Sequence, residues 1–81
     1  MPTWNVYILR CADGTLYTGI STDICKRIVA HNTGKGAKYT RARLPVTLVW
    51  HEEKESEGDA RKREIEIKKL QKYEKEFLII S

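Results

Sequence analysis

The sequence predicts a small α+β domain, a three-stranded antiparallel sheet with helices packed on it, in the order β-β-α-β-α. Three observations predict it. Residues 4–11 and 15–20 are two alternating apolar stretches around the turn triplet Ala12-Asp13-Gly14, the pattern of a β-hairpin. Residues 46–51 form a third such stretch after a glycine-containing basic loop. Helical patterns occupy residues 24–32 and 57–75. At 81 residues the chain makes one domain. A domain this short buries only about 60–65% of the surface its unfolded chain exposes, so its core is thin. A polar side chain on a core-facing stripe is then costly and asks for a reason.

Each element has its own local justification. In the first stretch Trp4, Val6 and Ile8 share one face, and Asn5, Tyr7 and Leu9 the other. Parity decides the turn. A two-residue loop, Asp13-Gly14, would pair Tyr17 with Arg10 and put the two tyrosines on opposite faces. A three-residue loop pairs Tyr17 with Leu9 and puts Tyr7 and Tyr17 on one face. The expected turn is therefore odd, type I with Gly14 left-handed and a bulge. Ser21-Thr22-Asp23 supplies N-caps for a helix over 24–32, which Gly34 ends. Residues 33–45 read as a basic loop with room for one helical turn. In the third strand Val46, Leu48 and Trp50 alternate. Ser56, three residues before Asp59, resembles a capping box and opens one long helix over 57–75. Phe77-Leu78-Ile79-Ile80 is expected to pack against its end.

Charge is segregated along the chain. There are 15 Lys+Arg against 11 Asp+Glu, a net +4. No acid occurs between Ile24 and His51, while Lys26, Arg27, Lys35, Lys38, Arg41 and Arg43 all lie there. A segregated basic tract points to an anionic partner such as nucleic acid more strongly than net charge does. The same tract also suits an ordinary solvated surface. Cys11 and Cys25 form no C-x-x-C, and no His/Cys cluster has zinc spacing. No apolar run approaches the length of a membrane span, and the opening residues do not read as a signal peptide. These features lead to the expectation of a reduced, cytoplasmic protein.

A few residues fit a purely structural account poorly. Glu64 falls on the long helix's apolar stripe, four residues after Ala60 and three before Ile67. A carboxylate there costs several kcal/mol unless it is paired or metal-bound. The structural alternative is a stripe-edge Glu paired with Lys68, i to i+4. Arg27 and His31 are also i and i+4. They read either as a basic surface pair or as a cationic arm aimed at phosphate with a titratable imidazole beside it. Tyr7 and Tyr17 are either packed strand tyrosines or, taken with Arg27, His31 and Glu64, members of a site.

In this order and at these spacings the residues resemble the GIY-YIG nucleases. Asn5-Val6-Tyr7 stands for the first triplet and Tyr17-Thr18-Gly19 for the second. Lys26-Arg27 with His31 follow, and then a lone Glu64 in the last helix. The stretches L-Y-T-G-I-S-T-D, H-N-T-G-K-G-A-K-Y-T-R and R-K-R-E-I-E-I-K-K-L are similar to the small stand-alone, single-domain branch of YhbQ- and YazA-like proteins. Asn5 and Thr18 depart from the family's triplets. The resemblance implies a metal-dependent endonuclease that hydrolyses a phosphodiester of nucleic acid, DNA rather than RNA, with single-stranded or structured DNA among the substrates. It implies one Mg²⁺ or Mn²⁺ held by Glu64. Tyr7 would be general base toward water, Tyr17 would orient water or phosphate, Arg27 would bind the scissile phosphate, and His31 would assist. Lys35, Lys38, Tyr39, Arg41 and Arg43 would follow the nucleic-acid backbone, Tyr39 by stacking on a base. The alternatives are a catalytically weak nucleic-acid-binding module with the same fold, and a protein-interaction domain.

Overall fold

The strand with apolar residues on both faces becomes the centre of the sheet. In the computed structural model, which describes residues 3–81, β1 (Trp4–Arg10) lies between β2 (Leu16–Ser21) and β3 (Thr47–Lys54), and both neighbours are antiparallel to it. Val6, Tyr7, Ile8 and Leu9 are all buried. A strand buried on both faces needs a layer on each. The helices supply them: α1 (Ile24–Asn32), a single turn α2 (Lys38–Arg41), α3 (Glu57–Lys68) and α4 (Lys72–Ile80). Val6 and Ile8 pack with Ala60 and Ile67 of α3 and with Leu78 and Ile79 of α4. Tyr7 and Leu9 pack on the other face with Ile24 and Ile28 of α1. Full burial of a side chain such as Ile67 contributes about 1.5–3 kcal/mol.

The hairpin turn is the odd one that parity requires. Tyr17 pairs with Leu9, and Tyr7 with Gly19. The Cys11 N–H donates to Thr15 O at 2.8 Å and the Gly14 N–H to Cys11 O at 2.9 Å, enclosing Ala12-Asp13-Gly14. Gly14 has φ +85°, left-handed backbone that glycine tolerates without strain. Asp13 Oδ1 accepts from the Thr15 N–H at 3.0 Å and so fixes the turn further.

Three details differ from the sequence expectation, each for a physical reason. The third strand runs Thr47–Lys54, so buried Val46 precedes it, and the expected alternation of Leu48 with Trp50 fails. Ile8 pairs with Trp50 but Leu9 pairs with Leu48. Val49 is the extra residue of a bulge, which sends Leu48 to the Tyr7 face and Trp50 to the α3 face. The single long helix is two helices. The Leu70 N–H closes a tight last turn on Ile67 O at 3.0 Å. Gln71 then takes extended backbone and caps α4, with its own N–H donating to Glu74 Oε1 at 3.0 Å. Q-K-Y-E is thus a second helix start hidden inside a continuous charged pattern. Finally, only part of the terminal apolar run packs as expected. Leu78 and Ile79 reach the core, while Phe77 is 70% and Ile80 79% exposed. Arg10 clamps Glu76 through both guanidinium nitrogens and holds α4 to the sheet.

Candidate active site

The site is built outward from Tyr7. Its partner across the hairpin, Gly19, has no side chain to oppose it. A Cβ on Gly19 would sit 2.6 Å from Tyr7 Oη, 2.7 Å from its Cζ and 3.2 Å from Tyr17 Cε2. The Tyr7 ring therefore lies directly over the backbone of the edge strand, and only glycine leaves room for it. The glycine of Tyr17-Thr18-Gly19 is explained by this close approach. Thr18 faces the other way and is buried. Its hydroxyl has no hydrogen-bond partner among the described residues.

Helix α1 brings the second half. Asp23 caps it, with its side chain accepting from the Lys26 N–H at 3.0 Å. Ile24 and Ile28 anchor the helix on Leu9 and Tyr7, which turns Arg27 and His31 toward the tyrosines. His31 is fully buried, and both ring nitrogens have partners. Nε2 lies 3.1 Å from Tyr7 Oη, and Nδ1 lies 2.8 Å from Thr40 Oγ1. Stripping a partner from either nitrogen would cost about 1–3 kcal/mol. The Tyr17 ring meets His31 edge-on, with centroids 5.4 Å apart. Its other neighbour is Tyr39 of α2, stacked at 6.0 Å and 25°. Arg43 lies 4.0 Å over the Tyr39 ring, donates to Tyr39 O at 2.8 Å and stands 3.2 Å from Asp13 Oδ2.

Burial dominates the electrostatics. It pushes the Tyr7 phenol above its ordinary value of 10.0, and the charges of Tyr17 and Glu64 push the same way. The Arg27 guanidinium beside the hydroxyl pulls in the opposite direction without winning. Burial also lowers His31 below 6.5, and Arg27 lowers it further. At neutral pH the pair rests as a neutral phenol against a neutral imidazole.

Glu64 arrives from the other layer. It lies on α3 between buried Ala60 and Ile67, and its side chain is only 12% exposed. Lys68 Nζ stands 3.2 Å from Oε2 and Arg61 Nη1 4.0 Å from Oε1. The i to i+4 pairing with Lys68 is thus present. So is the carboxylate's effect at the Tyr7 hydroxyl, which links the two layers across the β2 edge.

Tyr7, Tyr17, Arg27 and His31 therefore form one cluster, with Tyr39 beside it and Glu64 coupled to it by charge. Lys35, Lys38 and Arg41 are exposed on the loop and α2, apart from that cluster. Arg43 is tied to Asp13 and Tyr39, which leaves it less free than Lys35, Lys38 and Arg41 to meet another anion. Tyr39 keeps 40% of its surface exposed. Sequence reasoning did not single out Thr40 and Gly36, which surround His31, or Lys75. Lys75 lines a shallow groove with Tyr17, Thr18, Tyr39 and Lys68. Thr40 and Gly36 both fall inside H-N-T-G-K-G-A-K-Y-T-R, but nothing in their spacing identifies an imidazole as their neighbour.

The GIY-YIG catalytic domain family matches residues 3–76. The chain belongs to the GIY-YIG family. It is 53% identical to a UPF0213 protein of Desulfotalea psychrophila over 79 residues, covering 96% of this chain and 72% of that one. It is 50% identical to a UPF0213 protein of Halobacterium salinarum over 74 residues, covering 91% and 96%. The solution NMR structure of a UPF0213 protein from Bacillus halodurans aligns with a TM-score of 0.61 at 47% identity, covering 95% of this chain and 82% of that one. That of an E. faecalis protein aligns at 0.64 and 37%, covering 96% and 84%. Among the described residues of this GIY-YIG domain no helix is long and apolar enough to cross a membrane.

GIY-YIG nucleases generally use a divalent metal. Among the described residues no three of His, Cys, Asp and Glu converge. The donor available is the Glu64 carboxylate, shielded on a core stripe and near enough for its charge to bear on Tyr7. A single hard oxygen donor fits a cation such as Mg²⁺, which keeps most of its waters. Lys68, on an exposed and flexible side chain, offsets the same charge.

Burial of neutral His31 has a consequence for stability. Its folded pKa is depressed, so below about 6.5 the unfolded chain takes up the proton first. The contribution is full above pH 6.5 and is lost as pH falls through the lower folded value. Melting curves between pH 7.5 and 5 should show this decline for the parent and a flatter profile for His31→Gln. Equal slopes for the two proteins would contradict a buried neutral imidazole.

Proposed function

We propose that this GIY-YIG chain is a metal-dependent endonuclease that hydrolyses a phosphodiester of DNA, single-stranded or structured DNA included. The observation that carries the reading is the buried Tyr7 hydroxyl, 3.1 Å from His31 Nε2 and under the influence of the Arg27 guanidinium. A phenol raised above 10 is a poor base at pH 7 by itself. Beside a neutral imidazole it need not ionise first. As the Tyr7 oxygen takes a proton from water, its own proton passes to His31 Nε2, so no free phenolate accumulates. The freed water lone pair forms the new P–O bond. The bond to the leaving oxygen breaks with its electron pair, and that oxygen takes a proton from solvent.

Arg27 meets the phosphoryl oxygens as their charge grows, in a pocket where burial strengthens the interaction. Tyr17, held edge-on by His31 and face-on by Tyr39, orients the water or the phosphate. Glu64 would hold a Mg²⁺ or Mn²⁺ ion, which would supply positive charge to offset the charge that grows in the transition state. Lys35, Lys38 and Arg41, all exposed, follow the DNA backbone together with Arg43, and the open part of Tyr39 meets a base. The expected setting is the cytoplasm.

One observation favours a second reading, a nucleic-acid-binding module of the same fold with negligible cleavage. Glu64 already has a partner in Lys68. Mn²⁺-dependent cleavage by the parent separates the two readings, and Glu64→Gln then tests whether Glu64 holds the metal. The variant keeps the shape and removes the charge. If Glu64 holds the metal, the protein folds and Mn²⁺-dependent cleavage falls by roughly three orders of magnitude. That follows from several kcal/mol of transition-state stabilisation at about 1.4 kcal/mol per tenfold. DNA binding persists or improves as like-charge repulsion is removed. Cleavage at the parent rate, with a slightly lower melting temperature, would assign Glu64 to Lys68 alone.

Salt dependence tests the DNA surface. Each phosphate contact contributes about −0.7 to −0.9 to the slope of log K against log salt, so four to six contacts give roughly −3 to −5. Replacing Lys38 and Arg41 with Ala should flatten the slope by about one unit or more. An unchanged slope would place the binding surface elsewhere.

A further inference from the structure

We propose that Thr40 is a positioning residue that sets the tautomer of His31, so that the Tyr7 hydroxyl proton has one direction of transfer. The role in cleavage rests on the nuclease reading above, while the tautomer itself stands on hydrogen-bond geometry alone. The assignment starts at a carbonyl, which can only accept. Thr40 Oγ1 lies 2.9 Å from Ala37 O and donates its one hydrogen there. The same oxygen lies 2.8 Å from His31 Nδ1. With its hydrogen committed, Oγ1 can only accept from the ring, so Nδ1 carries the proton. A neutral imidazole has one N–H, which leaves Nε2 as a bare lone pair. Nε2 lies 3.1 Å from Tyr7 Oη, and Tyr7 is therefore the donor.

The chain of donors runs from Tyr7 through His31 and Thr40 to the Ala37 carbonyl. The opposite tautomer would place Nε2–H against the Tyr7 oxygen and occupy the lone pair a water would use. It would also turn the Thr40 hydrogen away from Ala37.

The backbone supports this arrangement. Ala37 is the N-cap of α2, and its carbonyl also receives the Thr40 N–H at 3.1 Å. Thr40 is thereby held to Ala37 at two points and is fully buried. Gly36 closes the loop onto the ring: a Cβ there would stand 2.7 Å from His31 Cγ and 2.8 Å from its Cα. Arg27 acts on the imidazole from its own helix, and Tyr7 faces it from β1, Tyr17 from β2 and Thr40 from α2. Among the described residues no acid bears on the imidazole. A hydroxyl thus takes the place a carboxylate often occupies behind a working histidine, orienting the ring without favouring the imidazolium.

The test is long-range ¹H–¹⁵N correlation on the full chain at pH 7.5, with exposed His51 as internal comparison. His31 should show a protonated Nδ1 and an unprotonated Nε2 in the parent. Predominant Nε2–H in the parent overturns the proposal, whatever the protein cleaves. Thr40→Ser, which keeps the hydroxyl, should keep the tautomer and cleave within a few-fold of the parent. Thr40→Val, which keeps the shape, should move the proton toward Nε2. It should also lower kcat by about tenfold to a hundredfold with little change in KM. Retention of Nδ1–H and parent kcat in Thr40→Val would overturn the proposal. Should Thr40→Val fail to fold, the parent spectrum and Thr40→Ser decide the matter. A parent that cleaves no DNA would overturn the nuclease reading and leave the tautomer assignment to the spectrum.

Discussion

The buried hydrogen bond between Tyr7 and His31 is the constraint on which the rest of the structure converges. It joins the central strand to the first helix through two buried side chains. It forms only if Tyr7 faces α1, and the odd hairpin turn then puts Tyr17 on the same face and Gly19 opposite Tyr7. It also needs room above the edge strand, which Gly19 provides, and an imidazole pushed fully inward, which Gly36 and Thr40 allow. The turn, two glycines and a one-turn helix are unrelated features in the sequence. In three dimensions all of them serve one contact.

The electrostatics of that contact keep the resting site neutral. Burial opposes ionisation of the phenol and protonation of the imidazole alike, and Arg27 then acts on both groups in the sense that its positive charge dictates. A neutral pair tolerates burial far better than an ion pair would. Charge is held at the margins. Arg27 lies at the α1 edge, and Glu64 lies on α3 with Lys68 and Arg61 beside it. Since β2 is an edge strand, a carboxylate from the opposite layer still influences the tyrosine.

Much of this was legible in the sequence, for reasons that can be stated. Alternation in 4–11 assigned Val6 and Ile8 to one layer and Tyr7 and Leu9 to the other, because burial on both sides leaves a clear period of two. Parity fixed the turn because Tyr7 and Tyr17 could share a face in only one way. The position of Glu64 stood out because a carboxylate between Ala60 and Ile67 conflicts with its stripe. What was not legible depends on local events that leave the hydrophobic pattern intact. A bulge at Val49 reverses a face without changing composition. The break before Gln71 falls in a run of charged residues, where a second capping signal resembles ordinary helix surface. The exposure of Phe77 and Ile80 follows from that break. Thr40 and Gly36 lie in the basic loop pattern of residues 33–45, and the direction of a hydroxyl hydrogen appears only once Ala37 and His31 are in place.

In the proposed reaction the Tyr7 hydroxyl, and not merely its ring, acts on the water that attacks phosphorus. Tyr7→Phe keeps the ring over Gly19 and removes only the oxygen. The measurement is Mn²⁺-dependent cleavage of single-stranded, duplex and branched DNA by the parent and by this variant, with DNA binding followed in parallel. The account predicts a folded variant that binds DNA like the parent and whose cleavage is lower by a factor of about 10² or more, the range for a lost general base. Cleavage by Tyr7→Phe at the parent rate would contradict it.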